Sequence, residues 1–536
     1  MIETSLKSLL FGTILLMYSC SGIHVSENPI AILTDRTLSM GKADYLEQIS
    51  APMPEDSLPN ILIILVDDLG KYDISTYNPD GVPTPAIDQL ASQGIRFTRA
   101  YATSSVCSPS RASMLTGRYQ QRFGYERQPM NRYARNKLEY WFVDHFIDTY
   151  PMQLNGIMSS PPKKEIAMQG IPESEILLPE LLKKRGYHTA IFGKWHLGQH
   201  KQFLPTNRGF DEQYGFYEAF TLFAPEDDPD IINYRHDYYA NKHIWSQGRK
   251  GSCAIRENEQ VIEEDDYLTF AIANKVCNFL DQKGNDPFFL YVPFNAPHTP
   301  FQVPREYYDR FSHISDNNKR VYYGMISALD DAIAQITAKL EELNLTRSTL
   351  IIFASDNGGA TYTGATDNGI LKGGKFTQFE GGINIPMIVS GKGFLPEGKD
   401  VEYPVSLMDI FTTAASAAGC KLSADRPYDG IDLIPYLTDQ DKAFQARDFI
   451  WRTDYNHALI FGNWKFIWNK RDQLEYLFKL DDDPGEHNDL SKEYPEKVQA
   501  YKDKILDWSG EMKEPLWPGV MDFIFDNEGK LTLWAI

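Results

Sequence analysis

Four long apolar runs, each closed by polar residues, constrain this chain more than any other feature. Pro59-Asn60-Ile61-Leu62-Ile63-Ile64-Leu65-Val66 ends in Asp67-Asp68, and Tyr187-His188-Thr189-Ala190-Ile191-Phe192-Gly193 runs into Lys194-Trp195-His196. Pro287 to Asn295 leads to His298, and Thr349 to Ser355 leads to Asp356-Asn357-Gly358-Gly359. Aliphatic stretches without alternation suit strands buried on both faces, as in a parallel sheet. Between them, Leu178 to Gly186 reads as a helix with a basic last turn and a glycine stop. Ile326, Leu329, Ile333, Ile336 and Leu340 recur at helical spacing. Strand and helix in alternation predict an α/β fold, a large mostly parallel sheet flanked by helices. In such sheets ligands bind beyond the carboxyl ends of the strands. Independent runs carrying Asp, Lys, His and Asn to that one edge are hard to attribute to solvation.

The net charge of −20 argues against nucleic acid as a partner. It does not exclude an anionic substrate, because a few convergent cations set the potential inside a pocket. Residues 1–20 read as an export signal: Lys7 precedes the apolar run 9–17, too short to span a bilayer. Ser19-Cys20 resembles the lipobox of bacterial lipoproteins, and plain secretion is the alternative. A lipid on Cys20 is the only membrane attachment this reading allows, and it places the chain in the periplasm or on a membrane. Residues 21–53 are expected as a linker and 54–420 as the α/β domain. Residues 421–536 are expected as an α+β subdomain with a small antiparallel sheet and a closing helix near Pro495 to Met512. The widely spaced Cys253, Cys277 and Cys420 suggest free thiols with at most one bridge. Between 119 and 172, Arg122, Arg127, Arg132, Arg135, Lys137, Lys163 and Lys164 interleave with Tyr125, Tyr133, Tyr140, Trp141 and Phe142. They suit either a surface for anionic sugars or an insertion packed on the core.

One further stretch organises the chemistry: Ser104-Ser105-Val106-Cys107-Ser108-Pro109-Ser110-Arg111, continued by Ala112-Ser113-Met114-Leu115-Thr116-Gly117-Arg118. A serine cap, a proline just inside and a glycine at the end predict a short helix with Cys107 at its N-terminus, where backbone N–H groups favour an anion. Arg111, four residues on, shares the face of Cys107. Cys-Ser-Pro-Ser-Arg resembles the Cys-x-Pro-x-Arg signature of the sulfatase family, and Leu115-Thr116-Gly117-Arg118 extends the resemblance. Gly193-Lys194-Trp195-His196-Leu197-Gly198 is similar to a second motif of that family. The turn Leu480 to Leu490 is similar to a third, in its C-terminal subdomain, so the resemblance covers roughly residues 58 to 510.

The resemblance implies that a formylglycine-generating or sulfatase-maturing enzyme oxidises Cys107 to formylglycine (3-oxoalanine), whose hydrate is the nucleophile. It implies one divalent ion, usually calcium, held by Asp67, Asp68, Asp356 and Asn357 together with residue 107 itself, Cys107 in the sequence. A hard cation wants such an oxygen set. Arg111, Lys194, His196, His298 and Lys375 take the remaining family roles. The lysines neutralise sulfate, Arg111 and His196 orient and activate the nucleophile, and His298 with Lys375 protonates the leaving group. His200, Arg208 and Tyr362 are expected as rim contacts, with substrate choice in 119–172 and 361–370. The expected activity is hydrolysis of sulfate esters, most simply of an algal or glycosaminoglycan carbohydrate. The alternatives are a phosphoester or phosphonate hydrolase of the same superfamily, and a non-catalytic lipoprotein that binds sulfated glycans.

Overall fold

The computed structural model describes residues 23–26, 30–31, 35–49, 58–130, 132–283, 287–439 and 442–536. The expected leader and Cys20 lie outside the described residues. Ten strands form one sheet: β1 (Asn60–Val66), β2 (Ile95–Phe97), β3 (His188–Lys194), β4 (Glu212–Phe216), β5 (Arg256–Glu257), β6 (Gln260–Val261), β7 (Phe288–Pro293), β8 (Thr349–Ser355), β9 (Met387–Ser390) and β10 (Lys399–Val401). Their order is β6-β5-β4-β3-β7-β1-β8-β9-β2-β10. The run from β4 to β8 is parallel throughout, while β5 and β9 run antiparallel to their neighbours. The four apolar runs are therefore adjacent strands, β3-β7-β1-β8, and all end on one edge.

Nine helices matter to the argument: α1 (Arg36–Gln48), α2 (Pro85–Ser92), α3 (Cys107–Thr116), α4 (Lys137–Phe146), α5 (Leu178–Lys184), α6 (Leu268–Lys283), α7 (Asn317–Glu342), α8 (Met408–Ala417) and α9 (Pro495–Gly510). The pleat of β1 sends Leu62, Ile64 and Val66 into one core, with side chains of α2, α6 and α7. Ile61, Ile63 and Leu65 enter the opposite core, with side chains of α3, α5 and α8. Burial on both faces is what the uninterrupted aliphatic run required.

One expectation about the ends needs correction. The segment expected as a linker carries α1, capped by Asp35 on Leu38 N–H at 3.0 Å. Lys42 of α1 fastens it to Glu180 at 2.7 Å and to the carbonyls of Glu173 and Glu175. The C-terminal part does form a four-stranded antiparallel sheet, Phe449–Thr453, Asn456–Phe461, Trp464–Asn469 and Leu474–Lys479, covered by α9. Its last hairpin, Met521–Asn527 and Lys530–Ala535, adds the strand Met152–Leu154 from the insertion.

In the insertion, much of the basic and aromatic set turns inward. Arg122 grips Asp429 at 2.7 Å and Arg127 pairs with Asp454 at 2.5 Å. Tyr125, Tyr133 and Tyr140 are buried. The region packs on the core, leaving Arg132, Arg135, Lys137, Lys163 and Lys164 at the surface.

Candidate active site

Helix α3 starts at Cys107 itself, with Val106 at the cap position and no side chain capping it. This differs from the expected serine cap. Ser108 is used elsewhere, donating to the carbonyl of His196 at 2.6 Å and meeting the Tyr125 hydroxyl at 2.8 Å. That contact ties the nucleophile helix to the loop after β3. The helix ends as expected at Gly117 in the left-handed region (φ 69°). A side chain there would strike Phe411 of α8 at 2.7 Å, so only glycine fits.

At the carboxyl edge of the sheet, Asp67, Asp68, Cys107 and His298 present ligand atoms that all lie within 4.8 Å of one another. Lys194 Nζ reaches Asp67 Oδ2 at 2.6 Å, and Lys375 Nζ reaches Asp68 Oδ2 at 2.8 Å. Asn357 donates to Asp68 Oδ1 at 2.7 Å, and the Cys107 sulfur stands 3.7 Å from the same oxygen. Arg111, wholly buried, forks onto Asp356 Oδ2 through Nε and Nη2, both at 2.8 Å. Its Nη1 donates to the carbonyl of Lys194 at 3.1 Å. Strands β1, β3 and β8, the loop after β7, helix α3 and the glycine-rich loop at 372–375 thus each contribute a group to one place.

The electrostatics follow from burying many charges together. Burial opposes ionisation of Asp67, but Lys194, with His298 and Arg111, outweighs it and holds the carboxyl below its usual range. Asp356 goes the other way, raised by burial and by the neighbouring Asp67. Burial, then Asp356 and Asp67, push the Cys107 thiol far up. A thiol so placed is a poor thiolate, hence a poor nucleophile. Burial, then Lys194 and Arg111, lower His196 well below its usual value. Burial and Lys375 lower His298 to about 4. The His298 Nδ1–H donates to the carbonyl of Thr299, so Nε2 faces Asp68 at 3.6 Å.

Among the described residues, Asp67 Oδ1 and Asn357 Oδ1 are buried oxygens without a hydrogen-bond partner. Orphaned acceptors of this kind are costly unless something cationic completes them. Two such oxygens beside Asp68 and Asp356 fit a hard divalent ion.

The sulfatase family model matches residues 59–420. The chain belongs to the sulfatase family. It is 33% identical to the dog N-acetylgalactosamine-6-sulfatase over 82% of this chain and 76% of that protein. It is 28% identical to the N-acetylgalactosamine-6-O-sulfatase of Bacteroides thetaiotaomicron, over 83% and 92% of the two chains. The crystal structure of Ps i-CgsB with k-i-k-neocarrahexaose superposes with a TM-score of 0.71 at 29% identity, covering 86% of this sulfatase and 94% of that chain. The protein is a sulfuric ester hydrolase of α/β fold.

The residues expected at the rim of this sulfatase separate. His200 lies exposed on the loop after β3, its ring edge-on to Phe203 at 6.3 Å. Tyr362 stacks on Phe376, next to Lys375, at 5.5 Å. Arg208 is a correction: it is buried, bound to Glu180 at 3.0 Å and to the carbonyls of Ile171 and Glu175. A guanidinium with its donors so engaged braces the loops under α5 and cannot meet substrate at the rim. Sequence reasoning missed Tyr238, whose ring meets Tyr362 at 5.9 Å and whose buried hydroxyl has no hydrogen-bond partner among the described residues. It also missed Asn295, both of whose side-chain amide atoms are buried with no hydrogen-bond partner among the described residues. Asn295 sat in the quoted run to His298, and its polarity after a wholly apolar strand was the available signal. Tyr238 had none.

Proposed function

We propose that this sulfatase removes sulfate from a carbohydrate ester, using residue 107 in its formylglycine form beside one bound calcium ion. The observation that carries the reading is the meeting of Cys107, two lysines and orphaned carboxylate and amide oxygens at one strand edge. Asp67, Asp68, Asp356 and Asn357 would hold the ion, which when bound would supply neutralising charge to a sulfate oxygen. Oxidation of Cys107 by a maturing enzyme supplies a hydrated aldehyde, an oxygen nucleophile that the deactivated thiol cannot replace.

The chain's own groups do the rest. Each lysine ammonium has three donors, and the partnering aspartate takes one. Lys194 and Lys375 therefore retain donors for sulfate oxygens. Arg111, locked by Asp356, fixes a positive charge at the nucleophile helix without being free to move. His196, neutral and with neither ring nitrogen hydrogen-bonded among the described residues, is the base. His298 presents Nε2 to the site and is the acid for the leaving alkoxide; the negative charge of an entering sulfate raises its proton affinity.

The relatives' names support 6-O-sulfated N-acetylgalactosamine as the first substrate to test, and the carrageenan complex supports sulfated galactans as the second. Matured enzyme should be screened on defined sulfated oligosaccharides, with aryl phosphate and phosphonate esters in parallel, and the desulfated product identified. Faster turnover of phosphate or phosphonate than of any sulfate ester refutes the reading. The mass of the peptide carrying residue 107, taken from native material, reads the modification directly. The leader and Cys20 support export and lipid anchoring at a bacterial membrane.

A further inference from the structure

We propose that α4 is a membrane-surface helix, seating its outer apolar face in the headgroup layer of the bilayer to which the N-terminal segment attaches the chain. The proposal rests on the export-and-anchor reading above. Leu138, Phe142 and Phe146 are 60%, 51% and 62% exposed on a ten-residue helix. Their i, i+4, i+8 spacing puts them on one face. Trp141 and His145 flank that stripe, Phe142 and Phe146 stacking at 5.2 Å and Trp141 meeting His145 at 4.9 Å. Tyr150, four residues past the helix end, is a further exposed aromatic at 61%. The opposite face is the anchored one: Tyr140 is buried, and its hydroxyl accepts from Gly156 N–H at 2.7 Å. A row of large apolar side chains held outward by a docked inner face calls for an apolar partner.

The N-terminal segment identifies that partner. His24–Val25 pairs in parallel with Ile157–Met158, directly after the Gly156 that binds α4. Val25 itself is 52% exposed. Cys20 precedes His24 by only four positions, a reach of about 14 Å when fully extended. A lipid on Cys20 therefore keeps the segment paired to Ile157–Met158 within that reach of the headgroups, and α4 with it. Interfacial helices sink their apolar side about 5–10 Å into that layer, and one lipid signal alone binds marginally. The surroundings also favour anionic lipid. Residues 132–164 carry Arg132, Arg135, Lys137, Lys163 and Lys164 against Glu139, Asp144 and Asp148, in a chain of net charge −20.

The test uses the full chain, with Phe142→Cys carrying a bimane label, reconstituted into phosphatidylethanolamine–phosphatidylglycerol vesicles containing brominated lipid. A second sample carries the label at Phe461→Cys, an exposed position on the C-terminal sheet. Unlabelled-site chain gives the background, and turnover of a soluble aryl sulfate confirms folding. Flotation with the vesicles reads the anchor, and quenching reads the helix. The expected result is flotation of both samples with quenching severalfold stronger at 142 than at 461. Flotation with equal quenching overturns the helix proposal and leaves the anchor standing. Chain that stays out of the vesicle fraction overturns the anchor reading, and the proposal with it. A labelled face shielded by a second copy, seen as doubled mass in detergent without bromolipid quenching, also overturns it. Phe142→Asp with Phe146→Asp should reduce vesicle binding severalfold while leaving aryl sulfate turnover unchanged.

Discussion

Arg111 and Arg208 are both buried arginines, and their partners separate their roles. Arg111 pairs with Asp356, one of the proposed ion ligands, whereas Arg208 binds Glu180 and the carbonyls of Ile171 and Glu175, none of them a residue of the proposed site. Arg208→Ala should destabilise the protein by about 3 kcal/mol in denaturant titration, because it strips a buried carboxylate of a partner. Turnover by the folded fraction should not change, and a loss of activity with normal stability would return Arg208 to the substrate. Cys107→Ala makes the opposite prediction. It removes the only atom on which the proposed chemistry can be built, so turnover should vanish while stability falls by no more than about 1 kcal/mol. A variant with measurable normal rates would end the nucleophile assignment.

At the scale of elements, a buried ion cluster joins the C-terminal sheet to the loop that carries Lys375. Lys465 of the strand Trp464–Asn469 sits between Glu380 and Glu486, at 2.9 Å from each. Glu380 begins five residues after Lys375, and Glu486 belongs to the turn that closes the subdomain. One ammonium cannot neutralise two carboxylates. Burial, and then the proximity of Glu380, raise Glu486 to about 7 against the pull of Lys465. Glu380 is held low despite its burial, chiefly by Lys465. The two shifts act in different pH windows. An acid with raised folded pKa binds its proton more tightly when folded, so its stabilisation is full below its ordinary 4.5 and is lost as pH rises through about 7. The contribution of Glu380 is lost only below the ordinary glutamate range. Wild-type stability should therefore fall between roughly pH 5 and 7.5 relative to Glu486→Gln, read as Tm against pH. Parallel Tm profiles for the two proteins would show that Glu486 does not titrate there. Removing the lysine by Lys465→Met should cost about 3–5 kcal/mol, since two buried carboxylates lose their counter-ion.

Across the whole molecule, the site is where both cores, the nucleophile helix and the C-terminal sheet converge, so an ion held there couples distant parts. Chelation should lower Tm as well as activity. Calcium added back at about 100 times its dissociation constant should restore about 2.7 kcal/mol. Unchanged Tm on chelation, with no calcium by elemental analysis of active enzyme, would remove the ion from the account. The aliphatic runs, their polar ends and the cysteine motif were legible along the chain because each is local. A run buried on both faces leaves no alternation, and a motif keeps its spacing whatever surrounds it. On that basis the sequence by itself determined the α/β class and the adjacency of candidate chemistry to strand ends, and it picked out Cys107 as the proposed nucleophile position. Only the tertiary structure decided that Arg208 is a brace and α1 is folded. It alone brought Tyr238 and Asn295 into consideration, and turned Arg122, Arg127 and three insertion tyrosines inward while α4 faces out. Those outcomes depend on which opposite charge or apolar surface lies across the fold, a pairing between residues from 28 to more than 300 positions apart that no local pattern encodes.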